Sequence, residues 1–145
     1  MRWGRVVVLA SALLLVGAGL LTTRTSSAEL YLIDDCVRRD LQGHSVARVW
    51  DEALLDAIRR DTPAPTVHAR NLFHTSAAMW DAWAAYDPDA DGYFVDEKHE
   101  AEDPRAAREA AISYAAYRVL LHRYSIAAGL EATFSELAST MKDLC

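Results

Sequence analysis

The chain has 145 residues, which is room for one ordinary domain, and its 52% hydrophobic and 25% charged content excludes a wholly disordered polymer. Fifteen Lys and Arg against 21 Asp and Glu give a net charge of -6 with no basic patch, which argues against nucleic acid or an anionic membrane surface as partner.

Residues 1–28 look like an export signal. Arg2 and Arg5 give a positive start, VVVLASALLLVGAGLL (6–21) an apolar core, and Ser26, Ser27 and Ala28 the small residues of a cleavage site. At about 24 Å as a helix, the 6–21 run is slightly short for a bilayer span, so a cleaved signal and a retained membrane anchor both remain open, as does a buried core helix. Cleavage after Ala28 would remove three arginines and take the net charge to about -9, giving an acidic exported protein, periplasmic or extracellular. Residues 29–44 read as a linker closed by Gly43, and 45–145 as a helical domain. Cys36 and Cys145 are the only cysteines; export permits a disulfide between them, but spacing does not decide it.

The domain reads as four helices, an all-α bundle. The first is expected over 45–60, capped by Ser45, with Val46, Trp50, Ala53, Leu54, Ala57 and Ile58 on its apolar face and Arg59 and Arg60 suiting the dipole in its last turn. After the rigid corner of Pro63 and Pro65, the second is expected over 66–86, capped by Thr66. Its helical spacing puts Ala69, Leu72, Phe73, Ser76, Ala77, Trp80, Trp83 and Ala84 on one face. That makes it the expected centre of the bundle, because each Trp offers about 200 Å² to bury. Asp103 and Pro104 start a third helix, over 104–128, whose two apolar stripes imply more than one neighbour and which Gly129 should stop. In the fourth, over 130–143, Leu130, Phe134, Leu137, Met141 and Leu144 form a stripe still running at the last residue, so the domain is expected to be incomplete at its C-terminus.

The chemistry-bearing residues are few. Arg70, His74 and Asp81 lie within about 40° of one another around the second helix, a polar line that suggests a hydrogen-bond network in which Arg70 or Asp81 reaches a partner on another helix. The histidines are His44, His68, His74, His99 and His122. His68 and His74 are about 120° apart around the axis, and His74 and Asp81 about 10 Å apart along it, so neither pair holds one metal ion unaided. Asp87-Pro88-Asp89-Ala90-Asp91-Gly92 matches the opening of a calcium loop, D-x-D-x-D-G, but the twelfth position, which needs a bidentate acid, is Lys98. An acidic surface turn is the plainer reading of loop 87–92, a weak calcium site the sharper one. No G-x-S-x-G and no Gly-rich phosphate loop is present. No catalytic, cofactor-binding or metal residue is assigned.

Two stretches add a resemblance. SVARVWDEALLDAIRRDTPAPTVHARNLFHTSAAMWDAWAAYDP (45–88) resembles the N-terminal helical part of vanadium-dependent haloperoxidase-like proteins of the type-2 phosphatidic acid phosphatase superfamily. AAISYAAYRVLLHRY (110–124) resembles their next helix. The resemblance implies an exported helical bundle, a full-length parent that binds vanadate or phosphate, and, as partner, the remaining C-terminal part of that fold or another helical protein. The family's Lys-x6-Arg-Pro, Pro-Ser-Gly-His and Ser-Arg-x5-His motifs do not occur in this sequence, so no catalytic residue carries over. The expectation is a scaffold segment, inactive alone; the alternative is a small exported or anchored helical binding module, with the weak calcium site in 87–92.

Overall fold

The structure is a computed structural model that describes residues 41–144; the 1–28 signal or anchor, with its 6–21 run, the 29–40 part of the linker, and the Cys36 and Cys145 pairing lie outside the described residues. Among those residues there are four α-helices and no strand: α1 (Val46–Arg60), α2 (Pro65–Ala84), α3 (Pro104–Arg123) and α4 (Leu130–Leu144). The expected helical bundle is present. No helix among the described residues is long and apolar enough to cross a membrane.

Local chemistry explains the ends. Ser45 caps α1 by accepting from the Arg48 N–H, and Asp103 caps α3 by accepting from the Arg105 and Ala106 N–H groups. Thr66 does not cap α2. The helix starts one residue earlier, at Pro65, because a proline at the first position lacks the N–H that a cap would satisfy. The cap residue is Ala64, whose own N–H donates to His68 Nε2 at 3.1 Å. α3 stops at Arg123, five residues short of the expected end, and turns through residues 124–129 into α4. Gly129 serves that turn by proximity rather than by an unusual φ: a Cβ there would sit 2.6 Å from Arg60 Cβ, so the turn can lie on the end of α1 only without a side chain.

The core is organised on α1 and α3. Trp50, Leu54 and Ala57 of α1 meet Ile112, Ala116, Leu120 and Tyr124 around α3, and Leu137 and Leu144 of α4 close the cluster. Trp50 is completely buried, with the Tyr117 ring tilted against it at 6.2 Å. α3 contacts all three other helices but α1, α3 and α4 share the deep core, with Met79 the buried contribution of α2. The α4 stripe is thus seated: it packs on α1 and α3, and Arg60 pairs with Glu136 across the α1–α4 contact.

The expectation for α2 is overturned. Trp80 is 47% exposed, and Leu72 and Phe73 are exposed with it. The buried positions of α2 are Asn71, Thr75, Ala77, Met79, Asp81 and Ala84, so of the expected face only the small Ala77 and Ala84 are turned inward. The reason is steric. α2 packs principally on α3, and small side chains allow two helices to approach closely, whereas the large rings are accommodated on the outside. Asn71 and Thr75 are buried without penalty because their polar atoms are partnered. Thr75 Oγ1 donates to the Asn71 carbonyl, and Asn71 Oδ1 accepts from Arg123 Nε of α3 at 2.7 Å.

Candidate functional site

The polar line on α2 divides by depth. Arg70 is exposed, His74 half-buried and Asp81 buried. Asp81 does find partners, but they come from the connection between α2 and α3 and not from another helix. Its two carboxylate oxygens accept from the backbone N–H groups of Tyr93, Phe94 and Val95, so the loop wraps its peptide dipoles around one anion. Trp80 Nε1 donates to the Asp91 carbonyl at 3.0 Å, a second tie to the same loop from the preceding residue of the helix.

The loop's outer half is held by a cation. Lys98 Nζ donates to the carbonyls of Ala84 and Ala90 and lies 3.6 Å from Asp96. Asp96 also accepts from the Gly92 N–H, and this backbone bond chiefly holds its exposed carboxyl below the usual range, helped by Lys98. Asp87 is spent elsewhere. One oxygen accepts from the Asp89 and Ala90 N–H groups and the other from Arg108 of α3, whose guanidinium also donates to the Tyr86 carbonyl and lies 4.9 Å over the Trp83 ring. Loop 87–92 is therefore an acidic turn closed on Arg108 and Lys98, with the residue that breaks the calcium pattern supplying the positive charge. Among the described residues no three His, Cys, Asp or Glu side chains converge as a metal site would require.

Two surfaces result. On the outer side of α2, Phe73 packs edge-on to Tyr93 and Phe94 at 5.6 and 6.1 Å, and Trp80 lies on Trp83 at 5.2 Å. These rings, except Trp83, are exposed and form an aromatic platform. On the other side a groove of about 730 Å³ runs between α2 and α3 under the loop. The helices are antiparallel, since Asn71 meets Arg123 at one end and Asp87 meets Arg108 at the other. His74, Arg118, His122 and Arg123 therefore gather at one end of the groove, and Ala85, Glu97 and His99 at the other. Ala78, Ala82, Ala115 and Val119 form the floor between them.

Of the residues singled out in the sequence, His74, Asp81, His99 and His122 line one groove, while Arg70, His44 and His68 do not belong to it. Arg118 and Arg123 were missed. Arg118 and His122 stand four residues apart on α3, a visible helical pair, but which side of α3 faces α2 depends on packing that this spacing does not carry. Comparison with protein-family models, with curated proteins and with solved structures finds no match.

Proposed function

We propose that this chain is the N-terminal helical scaffold of an exported haloperoxidase-like protein, non-catalytic by itself, whose partner is the C-terminal helical part that carries the oxyanion motifs. One observation carries the reading: the α2 residues of the resemblance are occupied with architecture. His68 accepts the N–H that opens α2, Asn71 holds Arg123, and Asp81 holds the loop. A residue whose hydrogen bonds are committed to its own fold is a poor donor to a bound oxyanion. The aromatic platform offers the exposed apolar area that an interface uses, with Phe73, Trp80, Tyr93 and Phe94 as its anchors.

Stabilising a multiply charged oxyanion needs a preorganised set of donors, and losing even one typically costs about 10²–10³ in rate. The whole motif set is missing from this sequence. The test is the full chain with vanadate, assayed for bromide oxidation and for p-nitrophenyl phosphate hydrolysis, alone and mixed with a separately produced C-terminal half of a haloperoxidase-like protein. No turnover alone and turnover on mixing is the expected result. Turnover by the chain alone that disappears in His74→Ala would overturn the scaffold reading, as would a mixture that neither associates nor turns over.

A further inference from the structure

The α2–α3 groove lies on the opposite side of α2 from the Phe73 and Trp80 rings, and its lining is ordered along its length. The positive end holds Arg118, His122 and His74 beside Arg123. Asn71 fixes the Arg123 guanidinium through Nε, so this charge is set in place before any ligand arrives. No acidic side chain pairs with Arg118 or Arg123 among the described residues. Asp81, the one carboxylate in mid-groove, has its charge enclosed by three backbone N–H groups. The far end carries Glu97, which repels an anion, beside His99, whose ring lies against Tyr86. Between the ends the floor is alanine and valine, overhung by Phe94 and Val95.

From His74 to Ala85 is eleven residues of helix, or roughly 16 Å. A fully extended hydrocarbon chain advances roughly 1.3 Å per carbon, given single bonds near 1.5 Å, so about a dozen carbons span the floor. The groove's volume lies within the range of small-molecule sites, roughly 300–1,000 Å³. An arginine fork matches a carboxylate in two parallel hydrogen bonds, and a single charge suits a head site built on one free and one tethered guanidinium.

We propose that this groove binds a single-chain carboxylate of about ten to fourteen carbons. The head lies between Arg118, His122 and His74, and the tail runs along Ala78, Ala82, Ala115 and Val119. The charge asymmetry between Arg118 and Glu97 sets the direction. The assignment does not depend on the scaffold reading.

The test is a titration of the full chain with dodecanoate labelled at its carboxyl carbon, followed by nuclear resonance. Saturable binding is expected, with affinity rising about two- to fourfold per added methylene from eight to twelve carbons. Arg118→Gln should weaken it at least tenfold, and Ala82→Phe, which fills the floor, should remove the dependence on chain length. Arg105→Gln, on the exposed start of α3 outside the groove, should change nothing. Circular dichroism and thermal melts confirm that each variant is folded. Equal affinity for dodecanol, tighter binding of dodecyl phosphate or dodecyltrimethylammonium, or dodecanoate binding that survives both Arg118→Gln and Ala82→Phe would each overturn the proposal.

Discussion

Asp81→Asn tests whether one carboxylate organises the α2–α3 connection. The change keeps the side chain's shape but removes its charge and turns an N–H₂ group toward one or more of the Tyr93, Phe94 and Val95 donors. In the native chain those three amides share two charged oxygens, Phe94 reaching both, at 3.1 and 3.3 Å. A hydrogen bond to a charged group contributes roughly 1.5–3 kcal/mol net. Three such bonds would exceed 4 kcal/mol, but Tyr93, Phe94 and Val95 are exposed, and water re-satisfies their amides when the carboxylate is lost. A net loss of about 2–3 kcal/mol follows, concentrated in the loop because the core of α1, α3 and α4 does not involve Asp81. Amide hydrogen exchange is the direct assay. Exchange at Tyr93, Phe94 and Val95 should quicken by about 30- to 150-fold in the variant, since about 1.4 kcal/mol is a factor of ten. Amides in the middle of α1 should change far less. If the loop amides keep their native exchange rates in Asp81→Asn, the carboxylate does not hold the loop and the reasoning fails.

Trp50→Ala should cost about 3–5 kcal/mol in urea unfolding, since the ring is fully buried, whereas Trp80→Ala should cost under about 1.5 kcal/mol and act mainly on the loop through Asp91; equal losses would refute the burial assignment. Gly129→Val should destabilise by about 1–3 kcal/mol, because its side chain meets Arg60, and unchanged melting would show that the α3–α4 turn can move off α1. Burial raises the Asp51 carboxyl above its ordinary value of 3.8, an effect Arg48 opposes and Glu52 reinforces. The folded state therefore holds that proton more tightly than the unfolded chain, and the stability this gives is present below 3.8 and lost as pH rises through the folded value. Asp51→Asn should accordingly be more stable than the parent at neutral pH by a few tenths of a kcal/mol, the site being partly solvated, and lose that advantage in acid. A variant less stable at pH 7 would contradict the sign.

Helix existence and most helix ends were legible because they rest on local chemistry. Ser45, Asp103 and Pro104 act on their own helices, and α1 buries the face its spacing marks. The facing of α2 was not legible, because the size of a side chain says how much area it could hide and not where a neighbour stands. Trp80 and Phe73 stay exposed and only touch the loop, while Asn71 and Thr75, polar in sequence, sit inward because Arg123 and a helix carbonyl satisfy them. The same limit applied to the groove. His74 and Asp81 could be placed on one line, but Arg118 and His122 join them only through the antiparallel packing of α3 on α2. The α3 end at Arg123 was missed because Gly129 looked like a stop, when its role is to let the turn lie against Arg60.

The ammonium of Lys98 bears on how the loop meets its surroundings. A loop whose carbonyls are gathered by a free ion is a sensor: it tightens and slackens with the supply of that ion and can be emptied by a chelator. Here the charge that faces Ala84 and Ala90 is attached to the same chain, so its local concentration is fixed when the chain is made. Dilution cannot remove it. The connection between α2 and α3 is therefore gathered by a charge that its own chain supplies, and that charge sits beside the groove the loop overhangs.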